Sequence, residues 1–279
     1  DGETAEVSKA RQLAIREMLK QGALPDVTPA GQPAETFRYT YRSLTPVPLR
    51  SISIHDISGA DAVTVESLQA HKEILTRADL IIFMLDPFQN SAIHESMRGS
   101  LNLADDISDA DDPFELLDNL AQVVKGDGAS RNPDQRVAFM LSKFDGIEAA
   151  SNTAGTLIYN VIRKGMAISR DGMSLSRDTY NVNEGQLVSK EAKALLARLS
   201  RTGPLLRLIK DSFSATEQQF FVSSALGHTR FSRNLDSSGL TSYRVFDPIR
   251  WVISERQSKF EADPKNLAAA PKERSNQTA

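Results

Sequence analysis

Cysteine is absent from the chain, and histidine is scarce, with 4 residues among 279. The lack of thiols excludes disulfides and thiolate metal sites and favours a reducing compartment, so we predict a cytoplasmic location. Long apolar runs are also missing. The longest, Leu80 to Leu85, is far shorter than the roughly 20 residues that cross a bilayer. We therefore expect no membrane span, and the opening residues do not resemble a signal peptide.

Neither basic nor acidic residues are in large excess. The chain carries 33 basic and 36 acidic residues, with a net charge of -3 and a pI near 5.9. Such a balance creates no strong field that would draw the chain to nucleic acid or anionic lipid, and we expect no nucleic-acid partner. Hydrophobic residues make up 40% and charged residues 25% of the chain, which is typical of a globular domain.

The first hundred residues contain patterns for both helix and strand. Helical spacing of apolar residues predicts a helix over residues 5–21, and the following proline- and glycine-rich stretch predicts a loop. Residues 36–42 alternate between polar and aromatic side chains, which predicts a half-buried strand near a sheet edge. A second strand is predicted over residues 49–55, and the pair is most simply an antiparallel hairpin.

Three later segments are apolar without alternation: residues 80–85, 137–141 and 220–222. Such runs are typical of central parallel strands covered on both faces. Because helical stretches separate them, we predict an α/β fold with a doubly wound, mostly parallel sheet, an antiparallel edge hairpin, and ligands beyond the carboxyl ends of the strands. The predicted helices are residues 65–77, 113–124, 155–164, 190–200, 204–212 and 248–259.

We interpret residues 1–260 as a single α/β domain with insertions at about 88–135 and 146–202. Residues 261–279 are predicted to be a disordered tail. The acidic run at 103–112 lacks the spacing of a calcium loop, so we interpret it as a solvated face.

A polar motif follows the hairpin strand, with Asp56 and, three positions later, Gly59. In nucleoside triphosphatases an acidic residue at such a strand end holds Mg²⁺, and the glycine lets a backbone N–H approach the terminal phosphate. The motif is short, and about one copy is expected by chance in a chain of this length. A second copy at residues 236–239 follows no strand.

A second motif, Ser142-Lys143-Phe144-Asp145, follows the apolar strand at 137–141. The stem of Lys143 can lie along a purine ring, while the Asp145 carboxylate accepts from two nitrogens of guanine, a pairing that adenine cannot offer. A near copy at residues 258–261 follows a helix and illustrates the chance alternative.

The third motif, Ser224-Ala225-Leu226, follows the strand at 220–222. Backbone N–H groups of such small residues can meet a purine carbonyl, although in isolation an ordinary strand-to-loop turn is the simpler explanation. The three motifs occur in the order expected of a guanine-nucleotide site.

With these motifs, the chain resembles the bacterial double-GTPase domains of the translation-factor-related (TRAFAC) class of P-loop GTPases, from about Leu24 to Val252. The resemblance implies that Thr28 and Asp56 coordinate Mg²⁺ and that Gly59 contacts the terminal phosphate. It also implies that Ser142, Lys143 and Asp145 read the guanine of bound GTP or GDP. The segments that carry it are residues 24–29, 56–59, 78–87, 142–145 and 224–227.

The sequence departs from that family in three places. The phosphate-binding loop, Gly-x-x-x-x-Gly-Lys-Ser/Thr, occurs nowhere in the chain, so lysine, amide and hydroxyl contacts to the phosphates are missing. We expect truncation upstream of Asp1, with loss of the loop and of the first strand. Ser142 stands where Asn or Thr is usual, and Ala60 follows Gly59 where a glutamine would orient water.

Three functions compete on this reading. The first is a guanine-nucleotide-dependent switch that hydrolyses GTP and signals to a protein effector. The alternative is a pseudo-GTPase, an interaction or scaffold module without turnover. The third, a metal-dependent adhesion-type domain, rests on Asp56-Ile57-Ser58 but lacks its second serine, because Ala60 occupies that position.

Overall fold

The computed structural model describes residues 10, 13–14, 17–18, 30–41, 50–89, 112–126, 131–151, 180–198, 202–225 and 242–262. Several sequence predictions lie outside these residues: most of the helix at 5–21 and of the loop after it, the acidic run apart from Asp112, the helix at 155–164, and the tail after Ala262.

The predicted antiparallel hairpin is confirmed. Strand β1 (Glu35–Tyr41) pairs with β2 (Arg50–Asp56), in a register that sets Phe37 opposite Ile54 and Tyr39 opposite Ile52. Within the described residues these strands form a two-stranded sheet of their own. An edge hairpin would be hydrogen-bonded to the parallel sheet. This hairpin forms no ladder with the parallel strands that the structure describes.

The parallel sheet consists of β3 (Leu80–Leu85), β4 (Arg136–Leu141) and β5 (Gln218–Val222), in the order β3-β4-β5. Leu80 lies opposite Arg136 and Val137 opposite Gln218. The order runs in one direction across the described strands. An α/β fold with a parallel sheet is thus confirmed, while a doubly wound order, which needs more strands than the three described, stays a prediction.

Helices cover both faces of this sheet. One face carries α1 (Val65–Gln69), α2 (Lys72–Arg77), α3 (Pro113–Lys125), α5 (Val182–Arg198) and α6 (Thr202–Ser212). The core on this side includes Leu117, Val124, Phe139, Leu195, Ile209 and Phe213. The opposite face packs Ala138, Met140 and Phe221 against Trp251 and Val252 of α7 (Asp247–Ala262). A short helix, α4 (Phe144–Ser151), follows β4.

Local chemistry explains several helix boundaries. The Asp112 carboxylate accepts a hydrogen bond from Phe114 N–H at 3.0 Å and caps α3, with Pro113 at its first position. Helix α5 begins at Val182, eight positions before the predicted start at 190, because Asn181 Oδ1 accepts from Glu184 N–H at 3.1 Å. The buried Gln135 side chain donates to the carbonyls of Leu75 and Ala78 and satisfies the end of α2.

Ion pairs tie α7 to the amino edge of the sheet. Arg136 meets Glu255 at 2.7 Å, Lys259 meets Asp134 at 2.5 Å, and Arg256 pairs with Asp79. The hydrogen bond and charge of Lys259 lower the pKa of the Asp134 carboxyl. None of the helices that the structure describes is long and apolar enough to cross a membrane.

Candidate functional site at the carboxyl edge of the parallel sheet

Main-chain hydrogen bonds join the loops that leave the three parallel strands. The N–H and the hydroxyl of Ser142 both donate to the carbonyl of Leu85, at 2.8 and 3.0 Å. Ser223 N–H donates to Leu141 O at 2.8 Å, and Phe144 N–H donates to Ser223 O at 3.0 Å. The carboxyl edge is therefore one connected surface, in which the Ser142 hydroxyl is already used by the backbone.

Lys143 occupies a left-handed backbone conformation, with φ 51°. Its ammonium lies 2.6 Å from Asp86 Oδ2, while Asp86 Oδ1 accepts from Phe88 N–H at 2.9 Å. The Lys143 side chain is 53% exposed and that of Asp86 22%. Asp86 thus ends β3 in a turn and orients the lysine, a role that the sequence did not reveal.

The segment that begins at residue 242 closes over the end of β5. Ser224 and Tyr243 exchange two backbone hydrogen bonds, at 3.0 and 2.7 Å. The Tyr243 ring stacks on Phe144, with centroids 6.1 Å apart and planes 12° apart. Because Phe144 is fully buried, this stack fixes the segment against the start of α4.

Arg244 forms a buried ionic clasp in the same segment. Its guanidinium is 2% exposed, lies 2.9 Å from Asp247 Oδ2, and also pairs with Glu184 near the start of α5. Arg244 has φ 49°, another left-handed non-glycine residue, which an L side chain adopts at a cost of about 1–2 kcal/mol. The clasp therefore joins the amino ends of α5 and α7 through a strained residue that tertiary contacts hold in place.

Tyr180 lies beside this clasp. Its hydroxyl accepts from the Gln219 side chain at 2.5 Å. Burial raises the pKa of Tyr180 well above its usual range, so the phenol stays neutral and contributes a hydrogen bond rather than a charge.

A second buried polar pair lies after β2. His71 Nε2 is 3.2 Å from Asp61 Oδ2, and both side chains are about 95% removed from solvent. Asp61 Oδ1 also accepts from Gly31 N–H at 2.7 Å, where Gly31 has φ 69°. Asp61 lies in the 3-10 turn Gly59–Ala62. This carboxylate therefore links that turn to α2 and to the chain before β1.

The structure brings together part of the predicted site. Five of the predicted residues follow β4 or β5 at the carboxyl edge, namely Ser142, Lys143, Asp145, Ser224 and Ala225. Asp56 is the last residue of β2, in the other sheet, and Gly59 begins the 3-10 turn that follows it.

Thr28 and Leu226 lie outside the described residues. The part of the chain that the structure describes contains no group of three or more His, Asp or Glu side chains able to hold a metal. Binding of GTP, GDP and Mg²⁺ by these residues stays a prediction.

Sequence reasoning missed Tyr243, Arg244, Glu184 and the pair of Asp61 with His71. Arg244 and Asp247 are three positions apart at the start of α7, and Asn181 and Glu184 have the same spacing at the start of α5. These local signals could have been found. The pairing of Arg244 with Glu184 spans 60 positions and has no local signature.

Comparison with known proteins points away from the GTPases. The chain is 29% identical over 209 residues to a protein of Mycolicibacterium smegmatis (strain ATCC 700084 / mc(2)155) named "Putative ESX-1 scaffolding and assembly protein SaeC". The similarity covers 74% of this chain and 51% of SaeC, so the chain spans about half the length of this relative. No family model matches the chain, and no solved structure matches it.

These findings correct the resemblance drawn from the sequence. The identification as a GTPase domain of the TRAFAC class is wrong, since the relative is named as a scaffolding and assembly protein and no GTPase family matches. The assignments GTPase, GTP-binding and hydrolase have no support. The error has a physical origin: Asp-x-x-Gly and Lys-x-Asp are short motifs, and a polar side chain after a buried strand is common in any α/β fold.

Proposed function

We propose that this chain is an interaction and scaffolding module that helps to assemble a protein complex, and that its partners are proteins. The similarity to SaeC carries the proposal, because it extends over 74% of the chain. By the same reasoning, the complex is of the ESX-1 kind named for that relative. The absence of cysteine supports the cytoplasm as the compartment.

The distribution of exposed apolar side chains supports a role in protein binding. Val182 and Leu187 on α5 are about half exposed, and so is Phe246 just before α7. Val182 and Phe246 each lie two positions from a member of the Arg244–Glu184 pair. Aromatic and aliphatic side chains of this kind form the buried centres of protein interfaces.

The clasp around Arg244 supports the same proposal through rigidity. Binding surfaces held by packed elements lose less conformational entropy on association. Ion pairs from the buried Arg244 to the partly exposed Glu184 and the buried Asp247 fix the starts of α5 and α7. We also infer that the three parallel strands belong to a doubly wound sheet, since helices cover both of their faces.

The proposal is tested by replacing the matching half of SaeC with this chain in Mycolicibacterium smegmatis and purifying the tagged hybrid. We expect enrichment of ESX-1 components, quantified by mass spectrometry. Phe246→Asp, at an exposed apolar position, should reduce that enrichment. Lys190→Asp, at an exposed polar position on α5, should not. Enrichment equal to that of an untagged strain would refute the proposed function.

A further inference from the structure

We draw no further inference here: the strongest candidate, the surface patch formed by the half-exposed apolar side chains of Val182 and Leu187 on α5 and of Phe246 before α7, belongs to the surface already proposed for protein binding, and nothing in the structure shows what covers it.

Discussion

The guanidinium of Arg244 and the carboxylate of Asp247 lie 2.9 Å apart, and their side chains are only 2% and 8% exposed. Removing the cation would leave Asp247 buried without a counter-charge, next to Glu184. We expect Arg244→Met to lower the free energy of unfolding by about 3–5 kcal/mol, the cost of breaking a buried pair from one side. Urea denaturation monitored by circular dichroism measures this.

The control for the Arg244 substitution is an ion pair at the surface. Arg77 and Glu73 are both 76% exposed and four positions apart on α2, so Arg77→Met should change the free energy of unfolding by less than about 0.5 kcal/mol. Equal effects of the two substitutions would show that the Arg244 clasp is not structural.

Lys143 offers a test of backbone strain at the candidate site. Because Lys143 has φ 51°, Lys143→Val should cost about 1–2 kcal/mol, since a β-branched side chain is disfavoured in this conformation. Lys143→Gly should be nearly neutral, because relief of the strain offsets loss of the partly exposed ion pair with Asp86. Thermal denaturation compares the two, and a more stable valine variant would contradict the left-handed conformation.

Asp61 is expected to fasten the chain before β1. Asp61→Ala removes the acceptor for Gly31 N–H and for buried His71, and we expect a loss of about 1–3 kcal/mol together with faster exchange of the Gly31 amide. Asp118 is the control, because its carboxylate accepts from Gln122 at the surface. Slow exchange at Gly31 in Asp61→Ala would mean that other contacts hold this segment.

Glu217 makes stability depend on pH. Burial alone raises the pKa of Glu217, but hydrogen bonds from Ser214 and the nearby Arg131 outweigh it, so the pKa lies below its ordinary 4.5. A carboxyl whose pKa is lower in the folded chain than in the unfolded chain stabilises the fold when it is ionised. Its contribution is complete above the unfolded pKa and is lost as the pH falls through the folded pKa.

Glu217→Gln therefore tests the direction of that shift. We expect the glutamine variant to be less stable than the parent near pH 7, and the difference to shrink as pH falls below about 4.5. Denaturation curves at several pH values provide the measurement. A difference that widens at low pH would reverse the sign of the shift.

Much of the fold follows from local patterns. The apolar runs predicted each of the three parallel strands among the described residues, and alternation predicted the hairpin. The helix over 65–77 was predicted as one element, but it breaks at Ala70 and His71. The buried contact of His71 with Asp61, ten positions away, accompanies this break, and no periodicity reports such a contact.

The candidate site was predicted less completely. The position of Ser142, Lys143 and Ser224 at the carboxyl edge follows from the sequence, because residues after parallel strands meet there. The ion pair of Lys143 was not predicted, because its partner, Asp86, lies 57 positions away in the sequence. Motifs that looked like a nucleotide site from spacing alone proved too short to identify the protein family.

The amino-acid sequence by itself determined most of the described strands and helices, because hydrophobic period and capping residues act over a few positions. Only the tertiary structure decided which charges pair and how Arg244 joins α5 to α7. Those outcomes depend on which surfaces exclude water together, and that is set by packing between segments far apart in the chain.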